Sequence, residues 1–507
     1  MIILSYIRSL VWSFPKQHRG LTSSRFLMNY KAEQMKQLIS IVVVLFSLIG
    51  CLDDQTKMGE NAISYLSFKM ELDTLYYAER NVEFMIEAPE MKQESQDKAL
   101  SYEWQINYEV VSTERVLTYA YDSCGLFPCR LKVYNEDGAI FKEFKLRVPN
   151  PYDEGLLLFS KYDGHSIISF RNDNWPERGF EKDVYALNNP GIPLGTEPVA
   201  IVCSPTEYYT PYIYLVTENP FRFLKLDYYT MQVLEEIAYP EEGVDRILEK
   251  DHNLYIMTDG KTLDYDCHNA YFRNNFQQGL TGKYGSFPDA ELSDRVVVYG
   301  EKYHRYLLAF DMKNQVLFSA NDVLPHPIKD GDEVVEVDRI YGMLLGVSEE
   351  DILILLEDKN GQNQVVYLNI SEQYVNWSKV TVFEFKSVYP AAAEINGQSV
   401  FASSTKENIL YYSVGNEIYR YNYLSAGNFP TQSDYTVGVS GSLIKKMILN
   451  EDKSELYVAV DAPNGEYRGA VYCYDVETKG LKWKEEGVAG EIVEMLYKPR
   501  NRSYNEN

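Results

Sequence analysis

Residues 352–370, ILILLEDKNGQNQVVYLNI, consist of an apolar run, a turn rich in Asp, Asn and Gly, and a second apolar run. Apolar runs of this length on either side of such a turn predict two antiparallel strands joined as a hairpin. The starts of seven such units lie roughly 50 residues apart, and a repeat of this period indicates an architecture built from similar units. The other six units occupy residues 156–170, 212–226, 254–265, 306–318, 409–423 and 456–476.

Seven units of this length match four-stranded blades, so the sequence predicts a seven-bladed β-propeller over residues 151–498, followed by a tail at 499–507. No amphipathic helical pattern of 10 to 15 residues separates the strands, which disfavours βαβ units and a parallel sheet. A single blade cannot bury both of its faces, but in a closed ring each blade packs between two neighbours and both of its faces are buried.

The last unit carries a motif as well as a period. Residues 471–483, VYCYDVETKGLKW, resemble the repeat of quinoprotein-like propellers, in which an Asp, a Thr or Gly and a Trp recur (here Asp475, Thr478 and Trp483). Leu226-Asp227 and Phe310-Asp311 resemble parts of the same repeat, but these two units lack its Trp. The resemblance implies the geometry of a propeller blade. It does not support a quinone, and we expect no cofactor.

Residues 61–150 show a different pattern of short strands. Tyr102, Trp104 and Ile106 alternate with polar residues, and residues 130–148 form two period-2 strands around a turn rich in Asn, Asp and Gly. A segment of this length with an aromatic core residue on an early strand predicts an immunoglobulin-like β-sandwich. The whole chain is therefore predicted to be all-β.

The same segment resembles a PKD-type domain. The resemblance lies in Tyr102 and Trp104, then Gly125, then LKVYNEDG at residues 131–138, although Pro128-Cys129 falls where a regular strand is expected. It is specifically similar to the PKD-like lipoproteins of Bacteroidetes, in which such a sandwich precedes a larger β domain. The resemblance implies a spacing or adhesive role for the module and association with an outer-membrane uptake system.

The N-terminal region predicts a lipid anchor. Residues 38–50, LISIVVVLFSLIG, are too short to span a bilayer but suit the apolar part of a signal peptide over residues 35–50. Leu48-Ile49-Gly50-Cys51 resembles a bacterial lipobox, which makes Cys51 the lipidated residue and 51–60 a tether; the alternative is an ordinary signal peptide that happens to end in Cys. Residues 1–34 are interpreted as an over-extended start.

The acidic pair after Cys51 resembles a surface-export signal of Bacteroidetes lipoproteins. The predicted location is the outer membrane, lipid-anchored and exposed at the cell surface, with a periplasm-facing anchor as the alternative. With 74 acidic against 49 basic residues and a formal charge of −25, the chain is a poor partner for nucleic acid.

Six cysteines are present, and their spacing suits no zinc site, so we expect no metal. Cys124 and Cys129 flank Gly-Leu-Phe-Pro, and a tight turn there would allow a local disulfide in an oxidising compartment. The remaining cysteines lie in apolar runs and are interpreted as buried small residues.

Catalytic motifs such as HExxH, GxSxG and the phosphate-binding loops are absent, so no catalytic residue is predicted. Three loops instead combine aromatic rings with amide and guanidinium groups, which suits the apolar faces and hydroxyl groups of sugars. The candidate ligand-binding residues are Trp175, Arg178, Tyr208, Tyr209, Tyr271, Phe272 and Arg273. The alternative is that these rings only pack over blade edges.

The leading hypothesis is a non-catalytic binding protein for an extracellular polymer, most simply a glycan. A propeller-type glycan lyase or hydrolase and a protein-docking scaffold at the outer membrane are the alternatives. An enzyme should gather acid and base groups in one site, whereas a sugar-binding protein should present exposed aromatic rings.

Overall fold

The structure is a computed structural model. It describes residues 63–94, 97–204, 210–240, 243–250, 252–259, 261–272, 290–300, 306–319, 326–375, 378–392, 394–425 and 429–500. Across these ranges the regular structure is almost entirely β-strand, with one short α-helix and one 3₁₀ turn. The predicted signal peptide, Cys51 and the tether lie outside them. No helix among the described residues is long and apolar enough to cross a membrane.

Contacts along the chain define two compact units. The smaller comprises Met1–Glu71, Pro89–Tyr102 and Lys132–Phe141, and the larger comprises Leu72–Ala88, Glu103–Leu131 and Lys142–Asn507. All of the blades described below belong to the larger unit.

Nine strands precede the predicted propeller in the described part of the chain. They are β1 (Leu66–Phe68), β2 (Leu75–Tyr77), β3 (Glu83–Glu87), β4 (Met91–Gln93), β5 (Ser101–Ile106), β6 (Glu109–Ser112), β7 (Val116–Ala120), β8 (Gly125–Tyr134) and β9 (Ala139–Val148). Five of them form one sheet in the order β2-β9-β8-β5-β6, while β1 pairs with β4 and β3 pairs with β7. The packing of these sheets as a PKD-like or immunoglobulin-like sandwich stays a prediction.

The predicted alternation in β5 is confirmed. Trp104 and Ile106 are buried, and the Trp104 indole donates its Nε1–H to the Glu114 carbonyl at 2.9 Å. Its ring meets Phe144 edge-on, with 6.1 Å between the centroids. A buried Trp needs both apolar contact and a hydrogen-bond acceptor, and this position supplies both.

In the smaller unit, polar contacts gather around Asn135. The Asn135 amide donates to the Ser64 carbonyl at 3.2 Å and to Gln93 Oε1 at 3.1 Å. Asp137 accepts the Ser64 N–H at 2.8 Å and lies 2.6 Å from Lys98 Nζ. These bonds connect three segments that are distant in the sequence.

The propeller begins at Gly155. Its first strands are β10 (Gly155–Tyr162), β11 (His165–Asn172), β12 (Phe180–Glu181), β13 (Glu197–Ser204), β14 (Tyr212–Glu218), β15 (Arg222–Asp227), β16 (Val233–Glu236), β17 (Arg246–Lys250), β18 (Asn253–Thr258), β19 (Lys261–Asp266), β20 (Tyr271–Phe272), β21 (Val297–Tyr299), β22 (Tyr306–Asp311) and β23 (Val316–Ser319). The helix α1 (Val184–Asn188) follows β12, and the 3₁₀ turn covers Pro176–Arg178.

The remaining strands complete the ring. They are β24 (Lys329–Asp330), β25 (Glu333–Val334), β26 (Val337–Leu345), β27 (Asp351–Asp358), β28 (Asn363–Val375), β29 (Ser378–Pro390), β30 (Phe401–Ser403), β31 (Ile409–Val414), β32 (Glu417–Asn422), β33 (Tyr435–Thr436), β34 (Leu443–Leu449), β35 (Glu455–Asp461), β36 (Gly469–Asp475), β37 (Leu481–Ala489) and β38 (Glu491–Lys498).

Seven successive sheets of the described strands are the seven predicted blades. Their strand orders are β12-β11-β10-β38, β13-β14-β15-β16, β17-β18-β19-β20, β21-β22-β23, β26-β27-β28-β29, β30-β31-β32-β33 and β34-β35-β36-β37. The pair β24-β25 forms a separate small hairpin. The predicted all-β, seven-bladed propeller is confirmed.

The apolar runs of the sequence are the second strands of the blades. In β27, Leu353, Ile354 and Leu355 are each 0–1% exposed although their side chains alternate between the two faces of the blade. Both faces are covered because each blade stacks between two neighbours. A strand buried on both faces has no polar side to alternate with, so it shows a continuous apolar run.

The C-terminal strand closes the ring. β38 pairs antiparallel with β10, with Gly155 opposite Lys498, and forms the innermost strand of the first blade. Innermost strands of neighbouring blades contact each other, including β38 with β13 and β34 with β38. Strands from both ends of the propeller thus share the first blade, and β38 covers the inner edge of β10.

Lys498 ends the closing strand in a fully buried position. Its Nζ donates to the carbonyl oxygens of Tyr152 at 2.5 Å and Asp153 at 2.8 Å, and lies 3.4 Å from the centroid of the Tyr228 ring. Burial lowers the pKa of Lys498 to about 7, because the interior disfavours the charged ammonium. The lysine thereby ties the end of β38 to the segment that leads into β10.

The predicted disulfide between Cys124 and Cys129 is wrong. Both are free thiols, and the intervening residues lie in β8 and not in a tight turn. An extended chain rises about 3.3 Å per residue, so two cysteines five residues apart cannot reach the roughly 6 Å that a disulfide needs. Burial raises the pKa of Cys129 to about 12, so its thiol stays protonated.

Candidate functional site

Successive strands of each blade are antiparallel, so the connections between first and second strands and between third and fourth strands emerge on one face. We call this the lower face. It carries the Trp175 loop of the first blade, the Thr210–Pro211 segment of the second, and His252 and residues 267–270 of the third. The described parts of the connections that carry Trp175, Thr210 and His268 therefore emerge on the lower face.

A cavity of about 400 Å³ opens on this face between the second and third blades. We call it the blade 2–3 cavity. Its lining consists of Ser204, Thr210, Tyr212, Lys225, His252, Cys267 and His268.

Strand ends position the lining residues. Ser204 ends β13, Tyr212 begins β14, and Lys225 lies on β15. His252 connects β17 to β18, and Cys267 follows the end of β19. Strand pairing of two adjacent blades thus brings together residues that lie as much as 64 positions apart in the sequence.

Asp266 fixes the turn that carries His268. Its Oδ1 accepts the backbone N–H groups of His268 and Asn269, each at 2.9 Å. Asp227 does the same at the corresponding place in the second blade, where it accepts from the N–H and hydroxyl of Thr230 at 2.8 and 2.9 Å. An Asp at the end of a strand favours this turn because its carboxylate bonds the backbone N–H groups that follow.

The cavity presents a cation above an aromatic ring. Lys225 Nζ lies 3.8 Å from the centroid of the Tyr212 ring. Nearby, Glu249 Oε1 accepts the Ser204 hydroxyl at 3.1 Å and the His252 N–H at 3.2 Å, which holds the two strand ends together. A ring, an ammonium, two imidazoles and hydroxyl groups can bind a polar ligand that also has an apolar face.

The cavity cysteine is held in its protonated form. Burial raises the pKa of Cys267 to about 12. A protonated thiol neither attacks substrates nor ligates metals. No group of three His, Cys, Asp or Glu residues in the described ranges is placed to hold a metal ion.

The Trp175 loop has a structural partner. The Arg178 guanidinium lies 4.9 Å from the centroid of the Trp175 ring. Its Nη1 and Nη2 donate to Oε1 and Oε2 of Glu79, at 3.0 and 2.6 Å. This hydrogen bonding lowers the pKa of Glu79. The structure thus brings Trp175 and Arg178 together, but the arginine is engaged with the segment between β2 and β3.

Two of the other predicted residues, Tyr271 and Phe272, lie in the described part of the chain. Tyr271 is 49% exposed on β20, whereas Phe272 packs against Tyr265, with 4.9 Å between their centroids. Phe272 therefore has a packing role. Tyr208, Tyr209 and Arg273 lie outside the described residues.

Sequence reasoning missed Lys225, His252 and His268 as members of one site. Lys225 interrupts the apolar strand FLKL at residues 223–226, which is the signal that could have marked it. The two histidines fall in separate connections, and only the alignment of the third blade's strands places them side by side.

No protein-family model matches the chain, and no curated protein matches it. Among solved structures it is similar to a quinoprotein alcohol dehydrogenase-like protein from Bacteroides thetaiotaomicron, with 17% identity, 86% of this chain and 99% of that chain covered, and a TM-score of 0.44. It is also similar to the β-propeller domain of Cps50 (Swd1) from Myceliophthora thermophila, with 10% identity, 58% and 88% coverage, and a TM-score of 0.36. Likeness at this level carries no argument about activity, and the architecture stands on the strand pairing of the chain itself.

Proposed function

We propose that the protein is a lipid-anchored, surface-exposed binding protein for an extracellular polymer, most simply a glycan, and that the blade 2–3 cavity is its binding site. The observation that carries the proposal is the lining of that cavity. Tyr212, Lys225, His252 and His268 combine one ring with cationic or hydrogen-bonding groups, and its described lining contains no carboxylate.

This lining suits sugars for a physical reason. A pyranose offers an apolar C–H face that packs on an aromatic ring, and hydroxyl groups that bond to ammonium, imidazole and hydroxyl groups. The half-exposed ring of Tyr271 follows His268 by three residues on the same face, which extends the polar and aromatic surface.

The same lining favours binding over hydrolysis. Most glycosidases need two carboxyl groups about 5 to 9 Å apart, one as acid and the other as base or nucleophile. The described lining supplies none. A hydrolase that uses such a pair of carboxyl groups would therefore need a different site.

The binding proposal is tested with residues 52–507 on a glycan array, followed by affinity gels containing the polymers that bind. We expect Lys225→Met and His268→Ala each to weaken binding about tenfold, or about 1.4 kcal/mol, because each removes a donor to the ligand. Tyr65→Ala, which removes an exposed ring in the smaller unit, is the control and should leave binding unchanged. Unaltered binding by both cavity variants would exclude this cavity.

The anchor rests on the lipobox resemblance at Cys51. We expect cells that express the full chain to incorporate radiolabelled palmitate into the protein, and Cys51→Ser to abolish the label. Cys473→Ser is the matched control, since that thiol is buried in the last blade. Label that persists in Cys51→Ser would refute the anchor. The proposed partner, an outer-membrane uptake system, is implied by the same resemblance and should co-purify with the labelled protein.

A further inference from the structure

A second cavity of the propeller, of about 660 Å³, lies between the sixth and seventh blades. We call it the blade 6–7 cavity. Most of its lining is polar or charged, and includes Lys406, Glu407, Asn408, Arg420, Asp434 and Lys479. All of these residues belong to the larger compact unit.

Connections of two adjacent blades carry this lining. Residues 406–408 lie between β30 and β31, Asp434 lies between β32 and β33, and Lys479 lies between β36 and β37. These are connections between first and second strands and between third and fourth strands, which emerge on the lower face. The blade 6–7 cavity therefore opens on the same face as the blade 2–3 cavity.

The two cavities occupy equivalent positions in their blades. Arg420 on β32 and Lys225 on β15 each lie two residues before the end of the third strand, opposite a tyrosine of the second strand. The connection between the third and fourth strands of the next blade completes each lining, through Lys479 in one cavity and His268 in the other. The propeller thus repeats one arrangement, in which a cation on a third strand lies beside a polar turn of the following blade.

Two ion pairs fix the charged groups of the blade 6–7 cavity. Arg420 Nη2 lies 2.9 Å from Glu407 Oε2, within the sixth blade. Lys479 Nζ lies 2.8 Å from Asp434 Oδ1 and so joins the seventh blade to the sixth. Both pairs place a cation and a carboxylate side by side in the wall of the cavity.

The third cation of the lining, Lys406, also has an acidic neighbour. Hydrogen bonds from Ser454 lower the pKa of Asp452, and the positive charge of Lys406 lowers it further. Asp452 lies between β34 and β35, in another connection of the lower face. Each cation of the lining is therefore close to a carboxylate, and the cavity does not select a ligand by net charge.

The paired groups can still bond to a ligand. The side chains of Arg420, Glu407 and Lys479 are 31%, 56% and 44% exposed. A guanidinium has five N–H donors, an ammonium has three, and a carboxylate accepts about four hydrogen bonds. Within the described part of the chain Arg420 donates only to Glu407, so most of its hydrogen-bonding capacity is unused.

Paired charges of this kind suit hydroxyl groups. A sugar hydroxyl donates to the carboxylate of a pair and accepts from the neighbouring cation, and the Asn408 amide offers a donor and an acceptor as well. A carboxylate or sulfate group on the ligand would instead meet a like charge at each pair. The lining therefore favours a neutral glycan.

The two cavities lie on nearly opposite sides of the ring axis. Four of the seven blade-to-blade steps separate them in one direction around the ring and three in the other. Each cavity lies about two to three strand spacings of about 4.8 Å from the axis, so the two openings are on the order of 25 Å apart. One sugar ring cannot reach both cavities, but a polymer chain can.

We propose that the blade 6–7 cavity is a second subsite for a neutral polysaccharide, whose chain crosses the lower face and occupies both cavities. This inference rests on the proposed function, to which it adds the ligand class and a two-point mode of binding. Once one part of the chain is bound, binding of the second part is intramolecular. Affinity should therefore depend steeply on the length of the glycan.

The test is affinity electrophoresis of residues 52–507 in gels containing dextran, laminarin, galactomannan or arabinoxylan, with polygalacturonate as the acidic comparison. We expect at least one neutral polymer to retard the protein more than polygalacturonate does. Arg420→Met and Lys479→Met should each weaken this retardation about tenfold, as should Lys225→Met in the blade 2–3 cavity, because each variant reduces two-point binding to one point.

Fragments of the retarding polymer provide a second measurement. Their ability to compete with the polymer should rise at least about tenfold once they are long enough to reach both cavities, on the order of 25 Å. Arg420→Met should abolish this step. A merely structural role of Arg420 would lower binding of fragments of every length equally.

Arg222→Met is the matched control. It breaks an Arg–Glu pair with the same separation of 2.9 Å, between Arg222 Nη2 and Glu236 Oε2. Arg222 begins β15 and therefore lies at the opposite face of the propeller. Polymer binding should be unchanged in this variant.

The variants separate failure of this inference from failure of the proposed function. Weakening by Lys225→Met without weakening by Arg420→Met and Lys479→Met would overturn the second subsite and leave the proposed function in place. Weakening by Arg420→Met alone would overturn both the two-point mode and the assignment of the blade 2–3 cavity. Equal weakening by Arg222→Met, or stronger retardation by polygalacturonate, would overturn the neutral subsite, and no retardation in any gel would overturn polymer binding itself.

Discussion

A chain that ends at Gly490, and so lacks β38, is expected to lose the cooperative unfolding transition of the propeller. β38 covers the inner edge of β10 and buries Ile492 and Met495 against Leu156 and Leu158. Without it, the first blade has an unpaired edge and an exposed apolar face, and the ring has no closure. Guanidinium denaturation followed by near-ultraviolet circular dichroism measures the effect.

A point variant keeps this prediction testable if the shortened chain aggregates. Met495 is 1% exposed, and Met495→Ala should reduce the free energy of unfolding by about 2–5 kcal/mol, because it leaves a cavity in the closing blade. Val493→Ala, on the same strand but 37% exposed, should cost less than about 1 kcal/mol. A shortened chain that unfolds at the same denaturant concentration as the full chain would contradict the closure by β38.

Arg147→Met is expected to reduce the free energy of unfolding by about 3–5 kcal/mol. Arg147 Nη2 lies 2.7 Å from Asp153 Oδ2, and the two side chains are only 5% and 1% exposed. Removing the guanidinium leaves a buried carboxylate without its countercharge, and that desolvation penalty is the main cause of the loss. Urea denaturation at pH 7 measures it.

The double variant Arg147→Met/Asp153→Leu is the matched control. It removes both charges and should recover most of the lost stability, because apolar residues of similar volume replace the pair. Lys69→Met, which breaks an exposed pair with Glu90 at 3.2 Å, should change stability by less than about 1 kcal/mol. If the double variant is less stable than Arg147→Met, the pair contributes through attraction and the desolvation account is wrong.

The blade 2–3 cavity could be predicted only in part from the sequence. The sequence predicts a sugar-binding loop around Tyr271 and Phe272, and the turn before it lines the cavity through His268. The only sign of Lys225 in the sequence is that it interrupts an apolar strand, and this sign does not tell which neighbouring blade and which side chains it will face. Arg178 shows the same limit from the other side, because nothing near it in the sequence indicates that Glu79 binds it.

The pairing of β2 with β9 could not be predicted for the same reason. Leu75 and Lys145 each belong to ordinary strand segments, and only the parallel register of β2 on β9 sets these two residues, 70 positions apart, opposite each other. The disulfide prediction failed because Gly125 and Pro128 were interpreted as turn residues, whereas pairing within the five-stranded sheet keeps that segment extended.

The sequence by itself determined the all-β class, the number of blades and the position of each hairpin. Those features depend on contacts between residues close in the chain, where apolar runs and turn residues act directly on the backbone. Tertiary structure alone decided that β38 completes the first blade and that Lys225 and His268 share a cavity. Pairing between distant strands depends on the register of whole elements, and local alternation of residues carries no information about which distant strand will be the partner.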